Sequence, residues 1–462
     1  MFTQKLAEFV KETRTADLPQ AAFDAARDGL ADVLGCALAG MLEPAAEIAA
    51  DWVRQNGARP VARVWGRDLA TSPELAAFAN GIAAHALDFD DSHPSVRGHA
   101  SASLVPTALA VGEARGSSGE EVLAAYAIGI EVAGKIGRAL GHGMMRGGWH
   151  PTAIVGTLAS TAVAARLSGH DVPALTRAFG IAGSEVAGLV RNFGTMTKPF
   201  HAGQAARSGV VAASLAGAGF TADTAIFERD GGVFDAYGAE GEAPDALIAD
   251  LGRQWEIVRP GNYVKRWPCC YSNHRSIGAL ERLIAEHGIA AAEVEEIVVA
   301  FLPGGDAALV SREPKTGLEG KFSIEYVLAA LLLDGELRMT SFTDAAVLRP
   351  AAQELLAKVK RRTIPDEKNY TGLTGYNIVS VKTLRGLFET REDRTPGSFA
   401  GPLTDADRQT KFIDCASLVF GEAEAASLYA LVRGCRGLAD IRRLTDATMP
   451  RPQATDRARA IA

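Results

Sequence analysis

The stretch from His85 to Ser101 is denser in titratable side chains than any other part of the sequence. Its 17 residues include three carboxylates, three imidazoles and a guanidinium, carried by Asp88, Asp90, Asp91, His85, His93, His99 and Arg97. Imidazoles titrate near neutral pH, and beside carboxylates they are the usual agents of general acid–base catalysis. A solvated loop with ordinary capping and turn residues is an equally good interpretation of this stretch taken alone.

Two predicted helices enclose the loop. The first, Pro73–Leu87, follows a possible capping residue, Ser72, and has an interior rich in Ala and Leu. The second, Ser103–Ala114, carries apolar residues through its length. A loop held between two helix ends is a place where a rigid scaffold presents reactive side chains.

The composition sets the class of protein. The 462 residues are enough for two domains, and 47% hydrophobic with 22% charged residues is typical of a globular protein. The net charge of -7 argues against nucleic acid or an anionic membrane as a standing partner, although an anionic small molecule remains possible. The charged start of the chain and the absence of an uncharged apolar run of 18 residues predict a cytoplasmic location.

The five cysteines have no C-x-x-C spacing; they are Cys36, Cys269, Cys270, Cys415 and Cys435. This pattern indicates reduced thiols and argues against a disulfide framework, a zinc ribbon or an iron–sulfur cluster. The sequence also lacks a phosphate-binding glycine loop, a dinucleotide fingerprint and an H-E-x-x-H motif, which removes most nucleotide, flavin and zinc-protease interpretations.

The pattern along the chain predicts a mainly α protein: a large all-helical bundle domain and a smaller α+β domain. Residues 1–266 and 405–462 are assigned to the helical domain, with an interruption near 61–65 and a loose tail beyond Pro450. Residues 267–404 mix strands, such as Val294–Phe301, with helices, which predicts the α+β domain.

Two further places could contribute chemistry. His150 follows a glycine-rich connector. Taken alone, it is best interpreted as part of a plain link between two helices. Lys198 lies between Ala-rich segments, where a buried cation needs an anionic partner such as a substrate carboxylate or Asp88. A lysine that extends to solvent is the alternative for Lys198.

Five ordered motifs together resemble the MmgE/PrpD family. They are HALDFDDSH at 85–93, GWHPT at 148–152, KPFHAG at 198–203, PCCYSNHR at 268–275 and GKFSIEY at 320–326. The resemblance covers nearly the whole chain. It implies a helical domain with an α+β lid, a homodimer, and a site between the domains. The family's reactions include 2-methylcitrate dehydration, cis-aconitate decarboxylation and iminodisuccinate epimerisation.

The resemblance also implies the site residues. Those expected to be catalytic are Asp88, His99, Lys198, His274 and Tyr326. Those expected to bind substrate are Ser92, His93, His150, His201, Arg275 and Lys321. Ser92 stands where many relatives carry threonine, which keeps the hydroxyl.

These reactions place negative charge on a carbon next to a carboxylate, in a substrate that is already an anionic polycarboxylate. Such a site needs preorganised cations together with an acid and a base. We therefore expect His99 and His274 to divide the base and acid roles and Lys198 to bind a carboxylate. Asp88 either orients a histidine or pairs with Lys198. Ser92 and Tyr326 are expected to hydrogen-bond substrate oxygen.

The scheme needs no cofactor and no metal, although Asp88, Asp90, His93 and His99 form an alternative metal-binding set for Fe or Mn. Dehydration of 2-methylcitrate is the leading hypothesis because it is the namesake activity of the family. Epimerisation of iminodisuccinate, decarboxylation of cis-aconitate and carboxylate binding without turnover are the alternatives.

Overall fold

The computed structural model describes residues 1–368 and 375–450, and the chain forms two compact units. Unit 1 comprises Met1–Tyr263 and Thr404–Ala462, and unit 2 comprises Val264–Leu403. The ranges expected from the sequence differ from these by three residues at the first boundary and one at the second. The tail expected to be loose, 451–462, lies outside the described residues.

The first part of unit 1 is built from helices and one small strand pair. They are α1 Phe2–Glu12, α2 Gln20–Gly40, α3 Pro44–Asn56, β1 Ala62–Arg63, β2 Ala70–Thr71, α4 Pro73–Ala86, α5 Ser101–Arg115, α6 Gly119–Leu140, α7 Gly143–Arg146, α8 Pro151–Leu167, α9 Val172–Ala182, α10 Thr197–Gly217, α11 Val233–Ala236 and α12 Pro244–Asp250. The strands β1 and β2 pair antiparallel, so this unit is not entirely helical as expected.

Unit 2 mixes helices and strands, and the chain then returns to unit 1. The elements of unit 2 are α13 His274–His287, β3 Val294–Phe301, α14 Gly317–Gly320, α15 Ile324–Asp334, α16 Asp344–Leu348, α17 Pro350–Leu356, β4 Val359–Thr363, β5 Asn377–Thr383 and β6 Gly386–Glu392. The returning helices are α18 Asp405–Phe420, α19 Glu422–Arg433 and α20 Arg442–Asp446.

Small residues let the central helices of unit 1 pack closely. The helix α10 packs against both α4 and α8. Where α10 crosses α4, a Cβ atom on Gly81 would lie 2.8 Å from the Cα atom of Gly203, closer than any side chain can fit. This crossing holds the C-terminal half of α4 against the N-terminal half of α10.

The sheet of unit 2 has four strands in the order β4–β3–β5–β6. The strands β3 and β4 are parallel, whereas β5 is antiparallel to both β3 and β6. Apolar residues of β3, β5, α13 and α15 form a core of their own, including Ile297, Val379 and Leu328. The prediction of a mainly α chain with a smaller α+β part is confirmed.

Several sequence-based boundaries were wrong. The Ala- and Gly-rich sequence predicts a helix over Pro173–Val190 and another from Gln204, but the first ends at Ala182 and the second begins at Thr197. The alternating sequence of Ile378–Glu389 predicts one strand, but the structure has a hairpin of β5 and β6 there. The Ser72 hydroxyl contacts the Glu74 carboxylate and does not cap α4.

Within 1–368 and 375–450, no single helix is both long and apolar enough to cross a membrane. The pair Gln20–Gly40 and Pro44–Asn56, bent by 87°, reaches that length and composition only when taken together.

Candidate active site

Main-chain bonds fix the loop between α4 and α5. Asp88 has a positive φ of 53°, a conformation that Asp tolerates better than most residues, and its N–H donates to the His85 carbonyl at 3.2 Å. Further along, Ser92 exchanges two main-chain hydrogen bonds with Tyr263, of 3.0 and 2.7 Å. The loop is therefore an ordered scaffold, and the interpretation as a solvated loop is wrong: Asp90, Asp91 and His93 are fully buried.

Asp90 is the centre of the site in unit 1. Its carboxylate lies 3.0 and 3.1 Å from Nδ1 of His85, and its Oδ2 lies 2.9 Å from Nδ1 of His99. Burial alone would raise the pKa of Asp90, but His85 and His99 outweigh it and hold that pKa well below its usual range. Because an ionised carboxylate only accepts, both histidines carry their proton on Nδ1.

His99 therefore presents its other ring nitrogen, Nε2, as the reactive one. This atom lies 3.7 Å from Oδ1 of Asp88, and the same Oδ1 accepts from Nζ of Lys198 at 2.6 Å. The three side chains are between 11% and 13% exposed, so none of them is completely buried. The arrangement is a carboxylate–imidazole dyad beside a lysine, which can transfer a proton next to a bound anion.

His85 supports the dyad from inside the protein. Its side chain is completely buried, and burial lowers its pKa to about 4 even though Asp90 opposes the change. His85 is thus neutral at physiological pH, and its ring lies 4.5 Å from the His99 ring, measured between centroids. We assign it to orienting Asp90.

His150 and His201 form a second imidazole pair, with their Nδ1 atoms 3.0 Å apart. Burial lowers the pKa of both rings, so the pair is neutral and shares one Nδ1 proton. The His150 ring stacks on the His85 ring at 6.1 Å and contacts the ring of Phe193 at 4.8 Å. Lys198 lies above that same Phe193 ring, 5.6 Å from its centroid. The structure thus brings His150 and His201 to the edge of the group around Asp90.

His93 does not join this group. It is fully buried, and its Nε2 donates to the main-chain oxygen of Glu256 at 3.0 Å. The ring nitrogen thus joins the loop to the main chain of Glu256, and the substrate-binding role expected of His93 stays a prediction. Ser92 is nearly buried and is held through its main chain to Tyr263.

The remaining candidates lie in unit 2, and three of them are close together. His274 begins α13, its Nε2 lies 3.3 Å from the Cys269 carbonyl, and its ring stacks on Tyr271 at 4.9 Å. Arg275 follows it in the helix and is 5% exposed. The Lys321 main-chain oxygen accepts from Cys270 N and from the Asn273 side chain, both at 3.0 Å, which brings Lys321 to the same segment.

Tyr326 is different. It is completely buried in the core of unit 2, and its hydroxyl donates to the main-chain oxygen of Ser341. Burial raises its pKa to about 12. The hydroxyl therefore has a hydrogen-bond partner within unit 2, and the catalytic role expected of Tyr326 stays a prediction.

The structure changes the set of side chains that could hold a metal. Four residues place one donor atom each within 4.8 Å of one another: His85, Asp88, Asp90 and His99. His85 replaces His93 in the set suggested by the sequence. An ion here would compete with the Nδ1 protons that bind Asp90 and with the cation of Lys198 on Asp88. That the enzyme needs no metal stays a prediction.

Two contacts of the site do not follow from the sequence patterns. These patterns indicate no role for His85 and suggest Asp90 only as a metal ligand, whereas Asp88 is expected either to orient a histidine or to pair with Lys198. In the structure Asp90 contacts both histidines and Asp88 pairs with Lys198. A signal was present: His85 closes a predicted helix five residues before Asp90, so the turn can bring the two together.

Two family models match the chain, one for each half. The MmgE/PrpD N-terminal domain matches residues 4–244 and the MmgE/PrpD C-terminal domain matches residues 267–434. The chain belongs to the MmgE/PrpD family and is an enzyme, a lyase of the MmgE/PrpD type. The resemblance expected from the five motifs is confirmed.

Similar proteins from animals and fungi carry one activity in their names. The chain is 30% identical over 460 residues to a cis-aconitate decarboxylase from Homo sapiens, covering 96% of this chain and 93% of that protein. It is 32% identical over 396 residues to the Mus musculus cis-aconitate decarboxylase, covering 83% and 80%. A cis-aconitate decarboxylase from Aspergillus terreus is 24% identical over 462 residues, covering 95% and 94%.

Proposed function

We propose that this enzyme decarboxylates a small unsaturated tricarboxylate without a cofactor, with cis-aconitate as the first substrate to test. One observation carries the proposal: Nε2 of His99, held through Nδ1 by Asp90, opens beside the Lys198–Asp88 pair. The similarity to cis-aconitate decarboxylases over nearly the whole chain supports this choice of reaction. This similarity makes decarboxylation the leading hypothesis in place of dehydration, because the expectation of dehydration rested only on the namesake activity of the family.

The reaction needs one proton for each CO₂ released. In cis-aconitate the C–C bond between the CH₂ carbon and its carboxylate breaks, and its electron pair forms a new C=C bond to the central carbon. The former double-bond pair moves to the carbon beside the third carboxylate, where it takes a proton. A trianion and one proton thus give a methylene-substituted dicarboxylate dianion and CO₂.

His99 is the acid in this scheme. As an imidazolium it keeps its Nδ1 proton on Asp90 and delivers the Nε2 proton to carbon. The ionised Asp90 stabilises the positive ring before transfer and fixes its direction, as the carboxylate of a catalytic triad does. Decarboxylation needs no second proton carrier, so His274 is assigned to binding. That His99 and His274 serve one substrate stays a prediction.

Lys198 meets the negative charge. An ammonium has three donors, and Asp88 takes one of them, which leaves donors for a substrate carboxylate. Lys198 is the second residue of α10, and the N-terminus of a helix favours anions. The positive charge stabilises the enolate-like electron pair in the transition state.

A substrate panel tests the proposal. We would incubate the enzyme with cis-aconitate, 2-methylcitrate and iminodisuccinate in turn, with and without a chelator, and follow each by ¹H NMR. The proposal expects a new pair of alkene CH₂ signals from cis-aconitate in both conditions. His99→Gln should lack this activity, whereas His287→Gln, on the surface of α13, should keep it.

Other outcomes would indicate other functions. If 2-methylcitrate gives a new alkene with a higher kcat/KM than cis-aconitate, the enzyme is a dehydratase. If iminodisuccinate loses its stereochemistry, the enzyme is an epimerase. Loss of activity on chelation, restored by one divalent metal, would assign His85, Asp88, Asp90 and His99 to that metal. The homodimer and the cytoplasmic location expected from the sequence also remain predictions.

A further inference from the structure

A buried ion pair lies directly behind the loop that carries Asp90. Nζ of Lys411, in α18, lies 2.5 Å from Oδ1 of Asp32, in α2. The two side chains are 6% and 3% exposed. A buried pair of this kind contributes little to the free energy of unfolding, because desolvation of two charges offsets most of their attraction. Its position against the loop suggests that the pair holds the loop in place.

Lys411 also holds the loop itself. Its Nζ donates to the main-chain oxygen of Phe89 at 2.8 Å and lies 3.9 Å from the centroid of the Phe89 ring. Burial would lower the pKa of Lys411, but Asp32 outweighs it and raises that pKa. We take the pair as ionised, although burial raises the pKa of Asp32, because the carbonyl and the ring face of Phe89 both favour a cation.

Asp32 contacts the loop on the other side of Asp90. The main-chain N–H of Asp91 is near enough to the Asp32 carboxylate to favour its charged form, but neither carboxylate oxygen accepts a hydrogen bond from the loop. The ion pair therefore holds the chain at Phe89, the residue before Asp90, and faces Asp91, the residue after it. Asp90 in turn determines where His85 and His99 point.

We propose that Asp32 and Lys411 are positioning residues: Lys411 holds the main chain at Phe89, and Asp32 holds Lys411 in place, so that the carboxylate of Asp90 stays between His85 and His99. The proposal rests on the function proposed above, because it takes His99 as the acid. It adds two residues that lie outside the five recognised motifs and far apart in sequence.

The test removes both charges together, so that no uncompensated charge is left buried. In the double variant Asp32→Leu/Lys411→Met we expect a folded protein whose kcat is lower by about 10²-fold with little change in KM, since displacements near 1 Å cost about that much. Lys411→Arg, which keeps the cation and a donor, should recover part of the activity. If Asp32→Leu/Lys411→Met does not fold, Asp32→Asn/Lys411→Gln, which keeps the side-chain volumes, replaces it in the test.

The same two helices supply a matched control. Asp28 and Arg408 form an ion pair of 3.2 Å between α2 and α18, near Asp32 and Lys411 along each helix. Asp28→Asn/Arg408→Gln should leave kcat unchanged. A folded Asp32/Lys411 double variant with near-normal kcat, or an equal loss in the control, would overturn the proposal.

A second measurement does not depend on the substrate. In protein with ¹⁵N-labelled histidine, the carboxylate-bound Nδ1 protons of His85 and His99 should give strongly downfield NMR signals. These signals should disappear or move upfield in the Asp32/Lys411 variants and persist in the Asp28/Arg408 control. If no substrate of the panel is turned over but this pattern is found, the function proposed is wrong and the positioning role stands. Unchanged signals in a folded Asp32/Lys411 variant would overturn the positioning role.

Discussion

At the scale of single residues, the site depends on a division of labour between two neighbouring carboxylates. Asp90 is buried, ionised and bound by two Nδ1 atoms, whereas Asp88 is partly exposed and pairs with Lys198. In the proposed mechanism, Asp90 fixes the direction of the proton carrier His99, and Asp88 fixes the cation of Lys198, which binds the substrate. Their side chains are chemically identical, so the roles come from the surroundings of each.

His99→Gln and Asp90→Asn test the first carboxylate. Removing the acid should lower kcat by about 10² or more, the usual contribution of a positioned general acid. Asp90→Asn keeps the shape but can no longer hold both Nδ1 protons as an ion, so we expect a loss of similar size. Steady-state kinetics on the true substrate, with folding checked by circular dichroism, measure both. Near-normal kcat in either variant would remove that residue from the mechanism.

Lys198→Met tests the second carboxylate. The loss of a desolvated charged hydrogen bond, worth roughly 2–5 kcal/mol, should raise KM at least about tenfold. Part of that effect comes from Asp88, whose carboxylate loses the Lys198 ammonium and then faces an anionic substrate. The double variant Lys198→Met/Asp88→Asn should therefore bind better than Lys198→Met alone. Equal KM values for wild type and Lys198→Met would mean that the lysine extends to solvent and does not bind the substrate.

At the scale of elements, local sequence patterns predicted most of the helices and strands. The strand Val294–Phe301 has the predicted bounds, and α4 ends one residue before the prediction. The start of α10 was missed because Pro199 and Gly203 look like helix breakers. Pro199 is the third residue of α10, in the first turn where proline is tolerated, and Gly203 is needed at the crossing with α4.

The contacts between distant segments could not be read from the sequence. The 110 residues between Asp88 and Lys198 give no local signal of their pairing, so the sequence predicts it only as one of two alternatives for Asp88. The burial of Tyr326 and the attachment of His93 to Glu256 depend on tertiary packing as well, so the sequence motifs could not predict these contacts. Motifs indicate which residues are candidates for the site, and tertiary packing determines which contacts they make.

Gly81→Ala tests the helix crossing that supports the site. The added Cβ would lie 2.8 Å from the Gly203 backbone, so the helices must separate, at a cost of about 1–3 kcal/mol in the free energy of unfolding. Activity should fall as well, because α4 carries His85 and α10 carries Lys198. Gly278→Ala in α13, where the new Cβ meets its nearest atom at 3.4 Å, is the control and should be nearly neutral in urea unfolding. Equal stability of the two variants would show that the crossing tolerates a side chain.

At the scale of the whole molecule, buried neutral histidines make stability depend on pH. Burial lowers the pKa values of His85, His93, His150 and His201 in the folded protein, for His85 to about 4. Below about pH 6.5 the unfolded chain binds protons at these rings that the folded chain does not. The free energy of unfolding should therefore fall as the pH drops from about 6.5 towards 4.

Urea unfolding at several pH values measures this effect. Each such histidine adds up to about 1.4 kcal/mol per pH unit to the slope. His93→Gln, whose amide can still donate to the Glu256 carbonyl, should reduce the slope, whereas His287→Gln, which removes a half-exposed ring, should leave it close to wild type. An unchanged slope in His93→Gln would mean that this ring is protonated in the folded protein.

The central claim is that this enzyme releases CO₂ and delivers a proton to the carbon beside a carboxylate, and turnover of cis-aconitate in D₂O tests it most directly. The mechanism predicts one deuterium in the saturated CH₂ group of the product and none in the new alkene CH₂ group, which keeps both hydrogens of the substrate's CH₂. ¹H and ²H NMR distinguish the two positions. Deuterium on the alkene carbon, or recovery of cis-aconitate without loss of CO₂, would contradict the account.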